Sequence, residues 1–197
     1  MQVTGIILAG GKSRRMGRDK STLELAAGLS LLDSVEQALL QISDDVIVVN
    51  NKDERVRGSQ VREVTDVYVG GGPLAGIHAG LQAARHETAF VVACDMPFID
   101  LDLINYLLAA SAGYDVTILR DGDRLEALHA VYRKSALPVI ERSLAEGSYK
   151  VTAILSQLQV NYINVETIAG DYDYQRILTN INRPEDYEAA IERLSSR

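Results

Sequence analysis

Gly5-Ile6-Ile7-Leu8-Ala9-Gly10-Gly11-Lys12-Ser13-Arg14-Arg15-Met16-Gly17-Arg18-Asp19-Lys20 passes within a few residues from an unbroken apolar run to a loop of glycines and cations. A short apolar run without polar alternation is how a strand buried on both faces reads, and the signal recurs at Val46–Val49 and Phe90–Cys94. Strands of that kind belong to a parallel sheet covered by helices. The segments between them have helical spacing. Leu32, Val35, Leu39 and Ile42 mark a helix over Leu31–Ile42, and Pro73 opens another over Leu74–Ala84. A weaker strand, Val61–Val64, precedes Gly70-Gly71-Gly72, and a further helix over Leu101–Ala112 starts from Asp100 as its cap. The alternation of strands and helices predicts right-handed crossovers.

The second half changes character. Val116–Leu119 and Leu125–Tyr132 flank the turn-rich Arg120-Asp121-Gly122-Asp123-Arg124, which predicts a hairpin and hence an antiparallel element. Helical segments follow at Ser135–Leu144, where Pro138 blurs the start, and at Val151–Leu158. A strand near Val160–Val165 and an amphipathic helix over Pro184–Leu194 complete the pattern, with Glu185, Asp186 and Glu188 complementing the dipole of that helix at its first turn. Neither a linker nor a repeat divides the chain. The expectation is an α/β chain, residues 1–197 forming one three-layer α/β/α Rossmann-like domain with a mostly parallel sheet.

Composition sets the outer bounds. Twenty basic against 27 acidic residues give a net charge of −7, so the surface as a whole should repel nucleic acid and anionic membrane. A single cysteine, Cys94, excludes an intramolecular disulfide and a multi-cysteine metal site and suits a reducing compartment. It reads as a small buried residue. Met1 runs directly into the first apolar stretch without a basic lead, so no export signal is expected, and the expected location is cytoplasmic.

Against that acidic background, five of the 20 basic residues, Lys12, Arg14, Arg15, Arg18 and Lys20, crowd into nine positions beside Gly10, Gly11 and Gly17. Glycines after a first parallel strand let backbone N–H groups approach a phosphate, and the cations neutralise it. This predicts a polyphosphate site. It is not a Walker A loop, because Ile6 stands where the glycine five residues before Gly11-Lys12-Ser13 is required. Gly70-Gly71-Gly72-Pro73-Leu74-Ala75 does satisfy G-x-G-x-x-A, with Asp95 at about the expected interval, and permits a nicotinamide-dependent dehydrogenase as a lower alternative. Mid-chain, the stretch reads better as a loop into a proline-started helix. Asp95 follows a buried strand at its exit and is a natural magnesium ligand, since magnesium takes one or two carboxylates plus substrate phosphates. Asp66, after Val61–Val64, offers a second acid. His78, His86 and His129 have no ligand spacing and suggest no zinc site.

Leu8-Ala9-Gly10-Gly11-Lys12-Ser13-Arg14-Arg15-Met16-Gly17-Arg18-Asp19-Lys20 resembles the signature of the molybdenum cofactor guanylyltransferase family, within the nucleotidyltransferase superfamily. Gly72-Pro73-Leu74-Ala75-Gly76-Ile77, Cys94-Asp95-Met96-Pro97-Phe98 and Asn180-Ile181-Asn182-Arg183-Pro184-Glu185-Asp186 resemble its later motifs in order, across nearly the whole chain. The resemblance implies a nucleotidyltransferase fold with a nucleotide-binding half of about residues 1–100 and an acceptor-binding half of about 101–197. The implied reaction is transfer of GMP from GTP to molybdopterin, with magnesium as cofactor and release of pyrophosphate. The alternative is a related enzyme using CTP or a sugar or polyol phosphate acceptor. By the same resemblance Leu8, Ala9, Gly10, Gly11, Lys12, Lys20, Asn50 and Asp66 contact the nucleotide. Lys20, Arg15 and Asp95 carry the chemistry, with Asp95 on magnesium, and Asn180 and Asn182 lie toward the pterin. Implied partners are molybdenum-insertion proteins and molybdoenzyme apoproteins or their chaperones, with no nucleic acid or membrane among them. Two positions depart from the family pattern: Arg183 replaces a threonine before the proline, and Glu126-Ala127-Leu128 stands where Gln-Pro-Leu is usual.

Overall fold

The computed structural model describes residues 2–10, 23–26, 28–50, 61–68, 70–168 and 170–195. Strands β1 (Thr4–Leu8), β4 (Asp45–Asn50), β5 (Val61–Thr65) and β6 (Thr88–Ala93) pair in parallel, as the apolar runs predict. β7 (Val116–Asp121) and β8 (Arg124–Arg133) form the expected hairpin, and β8 lies antiparallel to both β6 and β7. β9 (Val160–Asn164) adds in parallel to β7, giving a seven-stranded sheet in the order β5-β4-β1-β6-β8-β7-β9. A separate small hairpin, β2 (Glu24–Ala26) with β3 (Leu29–Ser30), stands outside it. The two strands are too short to show any period, so the sequence gives no sign of them.

Alternation along each buried strand sends successive residues to opposite faces. Ile7, Val46, Val48, Phe90 and Val92 share one core with the inner faces of α1 (Leu31–Leu39) and α3 (Leu101–Ala109). Ile6, Ile47, Val49, Val91 and Tyr132 share the other with α2 (Gly72–Ala83) and α4 (Leu137–Ala145). Both faces are therefore covered, which is why the strands carry no polar alternation. Gly80 lets α2 lie close to the sheet: a Cβ there would come within 2.5 Å of Ile6 Cγ2.

Several helices are shorter than their sequence pattern. α1 stops at Leu39 because the Ser43 hydroxyl, donating to the carbonyls of Val3 at 2.7 Å and Asp45 at 2.9 Å, turns the chain into β4. α3 ends at Ala109 rather than Ala112. The segment from Ser135 opens as a 3₁₀ turn and becomes α4 only at Leu137, with Pro138 in the first turn where its missing N–H costs nothing. Val151–Leu158 divides into α5 (Val151–Ile154) and a 3₁₀ turn. A one-turn helix, α6 (Tyr174–Ile177), precedes α7 (Pro184–Ser195).

Candidate active site

From β1 the chain builds outward through β4 to β5, then returns to the other side of β1 as β6. Such a reversal opens a crevice at the carboxyl ends of the two strands, where open α/β sheets take their ligands. Here those ends are Leu8 and Ala93, which are register partners. The Cys94 amide donates to the Leu8 carbonyl at 3.1 Å and the Ala9 amide to the Val49 carbonyl at 2.9 Å, so three strand ends are tied together at the point where the glycine loop departs. Leu8 is buried, Ala9 half-buried and Gly10 exposed. Gly11, Lys12, Arg14, Arg15, Arg18 and Lys20 lie outside the described residues.

Asn50 ends β4 and Asp66 follows β5, so both stand on this same edge, one and two strands away from β1. The Asn50 amide group donates to Glu63 Oε2 at 2.9 Å, a positioning contact from the neighbouring strand that motif reading overlooked. Burial raises the Asp66 carboxyl above its usual range, while a hydrogen bond from the Tyr68 backbone opposes the rise. Gly70–Ala75 forms the turn into α2, with Gly72 at φ +62° and Pro73 in the first helical turn, as the loop reading of this stretch predicts.

Asp95 is half-buried directly beyond β6, and its carbonyl accepts the Ile181 amide at 2.8 Å. That bond brings the third and fourth sequence motifs together at the reversal point. Asn180 is half-buried and Asn182 exposed on either side of the fully buried Ile181. Ile181 packs with Leu31, Phe98 and Ala190, and with Leu23 and Tyr187 at the margin. The Tyr187 hydroxyl donates to the Glu24 carbonyl, so α7 is tied to the β2–β3 hairpin. Among the described residues no three His, Cys, Asp or Glu side chains gather as a metal cage. A carboxylate such as Asp95 beside the oxygens of a phosphate ligand is a donor set that fits magnesium rather than zinc.

β8 runs past the end of β6, because His129 is the partner of Val92. Glu126 lies in that overhang. It is buried and ion-paired with Arg124; burial pushes its carboxyl up, against the pull of Arg124 and with that of Asp121. The acidic departure from the family pattern is consequently a covered group, not a charge open to the crevice. His78 and His129 are buried, Cys94 likewise, and among the described residues none belongs to a group of three metal-ligating side chains. No helix among the described residues is long and apolar enough to cross a membrane.

Over residues 5–161 the sequence matches the family described as MobA-like NTP transferase domain. It is 40% identical over 186 residues to a Pelotomaculum thermopropionicum protein named "Probable molybdenum cofactor guanylyltransferase", covering 94% of this chain and 90% of the relative. Identity to the molybdenum cofactor guanylyltransferase of Desulfosudis oleivorans is 36% over 190 residues, covering 95% and 94% of the two chains. The crystal structure of molybdopterin-guanine dinucleotide biosynthesis protein A from Archaeoglobus fulgidus matches with a TM-score of 0.84 at 28% identity, over 99% of this chain and 100% of that one.

Proposed function

The chain belongs to the family of MobA-like NTP transferase domains and is a nucleotidyltransferase, and on that premise we propose that it transfers GMP from GTP to the terminal phosphate of molybdopterin, releasing pyrophosphate. The observation that carries this reading is the bond from the Ile181 amide to the Asp95 carbonyl. It joins the segment assigned to the acceptor to the residue assigned to magnesium, and a transfer between two bound substrates needs their sites to adjoin.

In this reading the nucleoside lies along the edge formed by Asn50 and Asp66, and the triphosphate crosses the glycine loop after β1. The acceptor phosphate oxygen attacks the α-phosphorus; its bond forms as the bond to the β-phosphate bridging oxygen breaks, and that electron pair leaves with pyrophosphate. No covalent intermediate on the protein is required, so the chain supplies position and charge. Leu8, Ala9, Gly10 and Gly11 bring backbone close to the phosphates. Lys12, Arg15 and Lys20 balance charge on the departing group. Asn180 and Asn182 orient the pterin. Asp95 would hold magnesium, which, when bound, supplies positive charge to the phosphate oxygens.

The names of the relatives favour GTP over CTP, and molybdopterin over a sugar or polyol phosphate. A thermal-shift titration with GTP, CTP, ATP, UTP and NAD, each with and without magnesium, tests the choice, because a ligand that binds only the folded state raises its stability. The expected result is a magnesium-dependent shift with GTP exceeding all others. A larger shift with CTP would keep the class of reaction and change the product. A shift with NAD alone would overturn the phosphate site.

A further inference from the structure

We propose that Asp186 is a positioning residue for the acceptor, acting through the backbone of the Asn180–Asn182 segment; the inference rests on the function proposed above. One oxygen, Asp186 Oδ2, accepts two successive backbone amides, those of Asn182 and Arg183, each at 2.9 Å. The preceding amide, that of Ile181, is the one given to the Asp95 carbonyl at 2.8 Å. Three consecutive N–H groups are therefore fixed by two carboxylate-bearing residues from different parts of the chain, while the Ile181 side chain is locked in the core. A backbone held at three successive amides has little freedom left, and the side chains it carries inherit that order. Asp95, the residue assigned to magnesium, thus holds by its backbone carbonyl the segment that Asp186 completes.

Helix capping explains only part of this arrangement. Arg183 precedes α7 and brings no side-chain oxygen, and an acid at the third helical position commonly accepts the amide at the cap. That accounts for the bond to Arg183. The bond to Asn182 lies one residue outside the helix, on the segment assigned to the pterin, where capping has no need of it.

Steady-state kinetics with GTP, magnesium and molybdopterin, measured beside melting temperatures, separate the two roles. Four proteins are compared: the unaltered chain, Asp186→Ala, Arg183→Ser, and the double variant Asp186→Ala with Arg183→Ser, in which a hydroxyl restores a helix cap. Positioning predicts that Asp186→Ala raises the KM for molybdopterin about tenfold or more and leaves the KM for GTP within about twofold. It also predicts that the double variant regains the melting temperature of Arg183→Ser without regaining the acceptor KM. If Asp186→Ala does not fold, Asp186→Asn, which retains an accepting oxygen without its charge, should show a smaller rise of the same selectivity. An unchanged acceptor KM, an equal rise in both KM values, or joint recovery of stability and acceptor KM in the double variant would each reduce Asp186 to a cap and overturn the proposal. Absence of turnover by the unaltered chain on molybdopterin would instead sink the functional reading, and this inference with it, before any variant is compared.

Discussion

At the scale of single residues, two carboxylates stand at opposite edges of the sheet, Asp45 buried and Asp95 half-buried. Asp45, at the amino end of β4, is buried, which alone would raise its pKa, but the Arg85 amide, the Thr4 hydroxyl and Arg62 together lower it. It is an internal anchor on the edge away from the crevice. Asp95, on the crevice edge, is assigned to chemistry. Asp95→Ala keeps the carbonyl that binds Ile181, so the variant should fold with a melting temperature close to that of the unaltered chain. Its magnesium-dependent turnover of GTP should fall by roughly a hundredfold or more, the scale of losing one preorganised group at the transferring phosphate. Asp95 was legible from sequence because a buried strand ended at it. The anchoring role of Asp45 was not, because its partners Arg62 and Arg85 lie 17 and 40 residues away.

His129 has the clearest consequence for pH. It is wholly buried on β8 with its ring edge-on to Phe90, 4.9 Å between centroids, and among the described residues neither ring nitrogen finds a partner. Burial pushes its pKa down from 6.5 to about 4, against a smaller opposing pull from Asp100. The unfolded chain takes up the proton near pH 6.5 while the folded chain resists it. Stability is therefore complete above that value and declines as pH falls toward 4, by about 1.4 kcal/mol per unit in that window. Urea midpoints measured from pH 7 to 4 should show the decline, and His129→Leu should flatten it; an unaltered slope in the variant would assign the titration elsewhere.

At the scale of elements, close approach governs α2. Its Gly80 faces Ile6 with no room for a methyl group, since an added Cβ would also lie 2.9 Å from Ile6 Cδ1. Gly80→Ala should destabilise by about 1–3 kcal/mol despite alanine's higher helix propensity, because β1 and α2 must separate to admit it. Denaturant unfolding of the variant checks the sign; a gain in stability would mean that Ile6 moves aside freely. The elements legible in advance were those whose burial leaves a long signature: the three apolar strands, the hairpin joining β7 to β8, the cap at Asp100 and the helix opening at Pro73. The β2–β3 hairpin and α6 escaped because two very short strands and a single helical turn leave no period in the sequence. The Asp186 contacts escaped for a different reason. An acid in the first turn of a helix reads as ordinary dipole compensation, and only the path of the chain before the helix shows that it reaches back to Asn182.

At the scale of the whole molecule, the sheet does not respect the division between a nucleotide half and an acceptor half. β6 pairs with β1 on one side and with β8 on the other, and Phe90 and Val131 occupy the same core. A fragment ending near residue 100 would leave β6 as an unpaired edge and uncover the core shared with Leu103, Leu107 and Val131. Residues 1–100 expressed alone should accordingly lack a cooperative thermal transition, whereas the full chain should lose its secondary and tertiary signals together. Two coincident transitions from the fragment and the full chain would establish an autonomous first half.

The tie between Ile181 and Asp95 joins residues far apart along the chain, with most of the sheet's second half lying between them. Contacts of such separation are entropically expensive to close and are favoured only after the intervening structure has formed. During synthesis β1, β4, β5 and β6 emerge before β8 can cover β6, and α7 comes after both. The order of assembly therefore runs from β1 toward the Asn180–Asn182 segment. A ribosome-bound chain halted before Asn180 would lack the tie at Asp95, so the contact between these two segments is acquired among the last steps of folding.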